Sequence, residues 1–117
     1  MATPEIMIVE DNTTVARDLQ DCVEELGYSV TSIVASGEEA IERADTERPD
    51  VVIMDIHLRD EMDGIDAAEQ IHSRFDIPVL FLSAYSDKEL LQRARCVGSF
   101  GYMVKPFQER ELYAMLE

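Results

Sequence analysis

Polar residues interrupt an otherwise apolar scheme, and each ends or directly follows a short hydrophobic run: Glu10-Asp11 after IMIV, Asp55 after VVIM, Ser83 after VLFL, and Lys105-Pro106 after GYMV. If those runs are strands of one parallel sheet, these residues meet at a single edge. Three carboxylates gathered there repel one another unless a cation lies among them. A hard, oxygen-liganded ion suits such a set, and magnesium suits it best, because it takes one or two carboxylates together with waters and a phosphate oxygen. The Lys105 ammonium and the Ser83 hydroxyl are fitting partners for the remaining oxygens of a phosphoryl group. The chemistry indicated is phosphoryl transfer onto a carboxylate nucleophile. Each residue taken singly has an ordinary explanation: an acid pair after a strand caps the next helix or suits its dipole, and Lys-Pro can be the exit from an edge strand. Their common position, in the order acid pair, acid, hydroxyl, lysine, is what points to one site.

The elements that must position them follow from periodicity. Strand candidates are Glu5–Glu10, Ser29–Val34, Asp50–Asp55, Pro78–Ser83 and Gly101–Val104. Several are nearly continuous apolar runs, as expected of strands covered on both faces. Between them, Ala16, Leu19, Cys22, Val23 and Leu26 share one face of a helix that Asn12 or Thr13 can cap and Gly27 can end. Ala40, Ile41 and Ala44 mark a second helix, entered through Ser36-Gly37-Glu38-Glu39 and stopped near Pro49. Ile65, Ala68 and Ile71 mark a third, Leu90, Leu91 and Ala94 a fourth, and Leu112, Met115 and Leu116 a fifth. Strict alternation of strand and helix predicts a parallel sheet with helices on both faces. In such sheets the functional crevice lies outside the carboxyl ends of the strands.

Composition agrees with one packed domain over residues 1–117: 46% of the 117 residues are hydrophobic, and no repeat or linker divides them. Ten Lys and Arg stand against 25 Asp and Glu, a formal charge of -15 that disfavours direct contact with nucleic acid or an anionic membrane. No apolar run approaches the roughly 20 residues of a membrane span, and Met1-Ala2-Thr3-Pro4 lacks the layout of a signal peptide. A soluble, cytoplasmic protein is expected. Cys22 and Cys96 lie far apart with no CxxC or nearby histidine, so reduced, half-buried helix residues are expected rather than a disulfide or zinc site.

The segments IVEDN (8–12), VIMDIHL (52–58), MDGIDAAEQI (62–71), PVLFLSAYS (78–86) and GYMVKPF (101–107) resemble, in order and approximate spacing, the receiver domain of two-component response regulators of the chemotaxis-receiver type. The resemblance implies a flavodoxin-like (βα)5 fold with strand order 2-1-3-4-5. It implies that Asp55 is the phosphoacceptor, and that Glu10 and Asp11 hold Mg2+ with it, helped by the backbone carbonyl of His57. Ser83 then matches the switch hydroxyl, Ala84 the small residue that leaves room for phosphoryl oxygens, and Lys105 the phosphate-contacting lysine. Pro106 matches the proline joined to that lysine through a cis peptide, and Tyr102 the aromatic that turns inward with the hydroxyl. The implied function is a switch that catalyses only its own phosphorylation and dephosphorylation. It takes a phosphoryl group from a histidine kinase, in cis or in trans, and changes the surface of its fourth helix, fifth strand and fifth helix. That surface would speak to an output domain, a downstream protein or a second copy.

There are departures. The loop from His57 to Gly64 lacks the proline common there and is one residue longer than in chemotaxis receivers. His57 either contributes its carbonyl alone or modulates dephosphorylation, and His72 reads as a surface residue. The stretch SAYSDKELLQRA is similar in style to receivers found beside sensor kinases. Because Glu117 falls a turn or two into the fifth helix, a longer parent protein is expected. One rival is a Mg2+-dependent phosphohydrolase with an aspartyl nucleophile, which wants an acid where His57 stands. Another is a flavodoxin-like cofactor binder, which wants a Ser/Thr/Gly-rich loop where Glu10-Asp11 stands.

Overall fold

A computed structural model describes residues 4–55, 64–83 and 101–104. Its elements are β1 (Glu5–Val9), α1 (Thr13–Glu25), β2 (Ser29–Val34), α2 (Gly37–Glu47), β3 (Val51–Asp55), α3 (Gly64–Phe75), β4 (Val79–Ser83) and β5 (Gly101–Val104). The strands form one sheet in the order β2-β1-β3-β4-β5, with every neighbouring pair parallel. That is the expected 2-1-3-4-5 order. The expected fourth and fifth helices, Cys96 and the loop over 58–63 lie outside the described residues. No helix among the described residues is long and apolar enough to cross a membrane.

The apolar runs lack alternation because both faces of the sheet are covered. Ile6, Ile8, Ile53, Leu80 and Leu82 point to one face and pack with Ala16, Leu19 and Val23 of α1. Met7, Val9, Val52, Met54, Val79 and Phe81 point to the other and meet Ala40 and Ala44 of α2 and Ile65, Ala67, Ala68 and Ile71 of α3. The alanines let these two helices lie close to the sheet and to each other. Cys22 is half-buried beside the α1 cluster, as expected.

Local signals end the helices. The Asn12 side chain caps α1, with Oδ1 accepting from Thr14 N at 3.0 Å and Val15 N at 3.2 Å. Ser36 Oγ caps α2 by accepting from Glu39 N at 3.2 Å. Gly27 follows α1 at φ +96; a side chain would have open space there, so the positive φ is what calls for glycine. Arg48 ends α2 in the left-handed region at φ 48, a conformation that costs a residue with a Cβ about 1 kcal/mol. Its side chain offsets this: Nε donates to Asp45 O at 3.0 Å, and the guanidinium lies 4.8 Å from the Phe75 ring centre.

Edge strand β2 carries an irregularity. Ile6 pairs with Val30 but Met7 pairs with Ser32, so Thr31 is an extra residue. The bulge turns Thr31 and Ser32 to the same side, toward α2, where Thr31 Oγ1, Ser32 Oγ and Glu47 Oε1 are all buried. None of the three meets a partner at strict hydrogen-bond geometry, so the hydroxyls act on the carboxylate at longer reach. Arg43 Nη1 donates to Glu47 Oε2 at 3.2 Å. Desolvation works to raise the Glu47 carboxyl, but the Arg43 hydrogen bond, the two hydroxyls and the Arg43 charge outweigh it, and Glu47 titrates below its ordinary value.

A depressed folded pKa stabilises the fold above the unfolded carboxyl value near 4.5, and the contribution disappears as pH falls through the folded value. Glu47→Gln should therefore melt lower than wild type at pH 7, and the gap should close as pH is lowered toward 3. A gap that stays constant in thermal melts across that range would show that the Glu47 charge does not hold α2 to β2.

Candidate functional site

Because the strands are parallel, their carboxyl ends share one edge, and the register sets how far each projects. Val9 pairs with Met54, Asp55 with Leu82, and Ser83 with Val104. Glu10, one step past β1, is thus level with Asp55, the last residue of β3. The sequence pattern places Glu10 inside the first strand; here β1 stops at Val9, and Glu10 N donates instead to Val34 O at 2.9 Å across to β2. The Glu10 carboxylate folds forward, Oε1 accepting from Asn12 N at 3.1 Å.

Glu10 and Asp55 are each only 3% exposed, while Asp11 is partly open to solvent. One carboxylate oxygen from each of the three lies within 4.8 Å of the others. At that separation two unit charges repel by about 3 kcal/mol for an effective dielectric of about 20. Elsewhere, ion pairs join Arg43 and Arg48 to glutamates and an aspartate of α2. Adjacent ligands on octahedral magnesium sit about 2.9 Å apart and opposite ones about 4.1 Å. The 4.8 Å limit exceeds the opposite spacing by under about 1 Å and the adjacent spacing by about 2 Å, a difference that side-chain rotation or a bridging water can close. An all-oxygen, carboxylate-rich and partly solvated set fits magnesium rather than a soft metal.

The structure thus brings together Glu10, Asp11 and Asp55. Ser83 closes β4 one step beyond the level of Asp55, and Tyr102 pairs with Phe81 further back along β5. His57, Ala84, Lys105 and Pro106 lie outside the described residues. His72, expected at the surface, is half-buried, with its Nδ1 fully enclosed. It falls one position after the buried Ile71, on the rim of the buried face of α3. An open groove of 390 Å³ along Ser36, Glu38, Glu39, Glu42 and Arg43 runs beside α2 and includes none of the three carboxylates. The contact that the sequence does not disclose is the one from the Asn12 amide to Glu10, since a main-chain donor leaves no mark in residue type.

The family pattern described as the response regulator receiver domain matches residues 6–117. The chain belongs to this family. The transcriptional regulatory protein PdtaR of Mycobacterium tuberculosis is 38% identical over 112 residues, covering 96% of this chain and 54% of its own length. This receiver domain therefore spans about half the length of that relative. Among solved structures, the signal receiver domain of a modulated diguanylate cyclase from Desulfovibrio desulfuricans superposes with a TM-score of 0.92 at 35% identity, covering 98% of this chain and 91% of that one. The receiver domain of a sensor histidine kinase from Pseudomonas aeruginosa superposes at 0.86 with 31% identity, covering 98% and 95%, and holds a magnesium ion in its active site cleft. Membership of this family makes the chain a receiver domain of two-component response regulators, the reading set above against a phosphohydrolase and a flavodoxin-like cofactor binder.

Carboxylate repulsion has a measurable signature. In metal-free buffer Asp11→Asn should raise the melting temperature, by roughly 3–6 °C for each kcal/mol of repulsion relieved. Added magnesium should raise the melting temperature of wild type more than that of the variant. Identical magnesium responses in calorimetry would remove Asp11 from the site.

Proposed function

We propose that Asp55 accepts a phosphoryl group from a phosphohistidine of a histidine kinase, with magnesium held by Glu10, Asp11, Asp55 and the backbone carbonyl of His57. The observation that carries this reading is the buried Asp55 carboxylate lying at the strand end within 4.8 Å of the acid pair. A carboxylate oxygen of Asp55 attacks phosphorus, the phosphorus–nitrogen bond breaks, and the departing imidazole keeps the electron pair and takes up a proton. The bound ion supplies charge neutralisation at the carboxylates and polarisation of the phosphoryl oxygens. Lys105 and Ser83 take the charge that spreads over the remaining oxygens, and Ala84 leaves them room. Little covalent work is left to the protein, so positioning of Asp55 dominates.

In the same reading, helices after β4 and β5 complete a (βα)5 domain over 1–117, and Ser83 and Tyr102 form the element that responds to the phosphoryl group. The phosphoryl group binds one of two arrangements better and shifts the population toward it. The readout face is the fourth helix, β5 and the fifth helix, offered to an output domain, a downstream protein or a second copy in the cytoplasm. With a formal charge of -15, the domain itself is not the part that touches nucleic acid. Hydrolysis of the acyl phosphate resets the switch without turnover of an external substrate.

Incubation with acetyl phosphate and magnesium should add one hydroxylamine-labile phosphoryl group, visible by intact mass, and Asp55→Asn or a chelator should abolish it. Labelling that survives Asp55→Asn unchanged would sink the assignment.

Transmission is tested separately. Tyr102→Ala should be labelled nearly as well as wild type, yet lose most of the beryllofluoride-induced change in amide exchange over 88–95 and 108–116. A full response in Tyr102→Ala, or none in wild type, would remove this face as the readout.

A further inference from the structure

We propose that Asn12, which offers no ligand itself, is the positioning residue of the acid pair, so that magnesium affinity depends on the cap of α1. This rests on the reading that Glu10 and Asp11 hold the ion. Bonds through Glu10 and Asn12 close the turn between β1 and α1. Glu10 N is held by Val34 O at 2.9 Å, which fixes the exit from the sheet. Asn12 N donates to Glu10 Oε1 at 3.1 Å, which fixes one oxygen of the first acid. Asn12 Oδ1 accepts from Thr14 N and Val15 N, and Asn12 O accepts from Ala16 N at 2.9 Å, which fixes Asn12 itself to the first turn of α1.

Asn12 therefore acts in two directions. Forward, its side chain and carbonyl tie it to the helix, and the helix is anchored on the sheet through buried Ala16 and Leu19. Backward, its amide orients the Glu10 carboxylate. Its backbone, at φ -88 and ψ 113, is extended rather than helical, as the capping geometry demands. Asp11 lies between these two pinned residues, so its backbone is held from both sides. Without the cap, the first turn frays, the Asn12 amide is no longer held against Glu10, and the two acids lose their common aim. Alanine at position 12 keeps the amide but loses the cap, whereas serine keeps both, because its hydroxyl serves as an N-cap acceptor.

The experiment is a calorimetric titration of the folded chain with magnesium chloride, well below the melting temperature. Asn12→Ala should weaken binding by roughly tenfold, the lower end of what loss of an outer-shell partner costs a metal site. Asn12→Ser should stay within about twofold of wild type. Ser36→Ala removes the equivalent cap from α2, where the capping side chain has no link to the acids. It should lower the melting temperature much as Asn12→Ala does but leave magnesium affinity unchanged. Binding by Asn12→Ala within twofold of wild type, or an equal loss in Ser36→Ala, would overturn the positioning role. If wild type and Asp11→Asn bind magnesium identically, the metal-site reading itself falls, an outcome distinct from either of these.

Discussion

Like-charge repulsion at the sheet edge is the constraint around which this domain is arranged. Three carboxylates whose oxygens lie within 4.8 Å of one another are unfavourable in isolation, and two of them are almost wholly withdrawn from water. Their backbones are held level by strand pairing, and the Asn12 amide holds one oxygen of Glu10 at 3.1 Å. β1 and β3 are paired residue by residue from Ile6–Val51 to Val9–Met54 in the centre of the sheet, flanked on both sides by further strands. The stored repulsion makes the edge receptive to a cation, and by linkage a cation bound there stabilises the folded chain.

Holding that edge rigid requires support on both faces of the sheet. The α1 side is closed by Leu19 and Val23 packing on Ile6, Ile8 and Ile53, the other by α2 and α3 on Met7, Val52 and Met54. The weakest member is β2, an edge strand whose outer side is unpaired among the described strands and whose Ile33 is 39% exposed. Yet β2 supplies Val34 O, the acceptor that fixes Glu10. The bulge at Thr31 places the Thr31 and Ser32 hydroxyls on the side of the Glu47 carboxylate of α2, and Val34 joins Ala40 and Ala44 of α2 in the core.

Much of this is legible in residue order, and the exceptions have physical reasons. Asp55 declares itself because an acid directly after VVIM has no amphipathic explanation, and Ser36 because its N-cap signal is followed by two glutamates. Between Asn12 and Thr13 the sequence does not choose, since either can cap; in the structure Asn12 does so, its side chain accepting from Thr14 N and Val15 N. Nothing in SVTSIV signals a bulge, because its cause is tertiary: Val30 must face α1 while Ser32 and Val34 both face α2. Arg48 is equally hidden, for a left-handed residue usually announces itself as glycine or asparagine, and here a ring contact with Phe75 takes over that role. The half-burial of His72 arises from helix packing, which one-dimensional periodicity resolves only to the nearest face.

Charge bookkeeping at the edge also explains why the site needs more than its acids. Three carboxylates and one divalent ion leave a single net negative charge, so on the proposed reading an incoming phosphoryl group is still repelled. The wider surface adds to this, since the chain carries 25 acidic against 10 basic residues. On the same proposed reading a cation beside the neighbouring strand end is called for, and Lys105, which follows Val104 in sequence, is the residue proposed to supply it; Val104 of β5 pairs with Ser83 of β4.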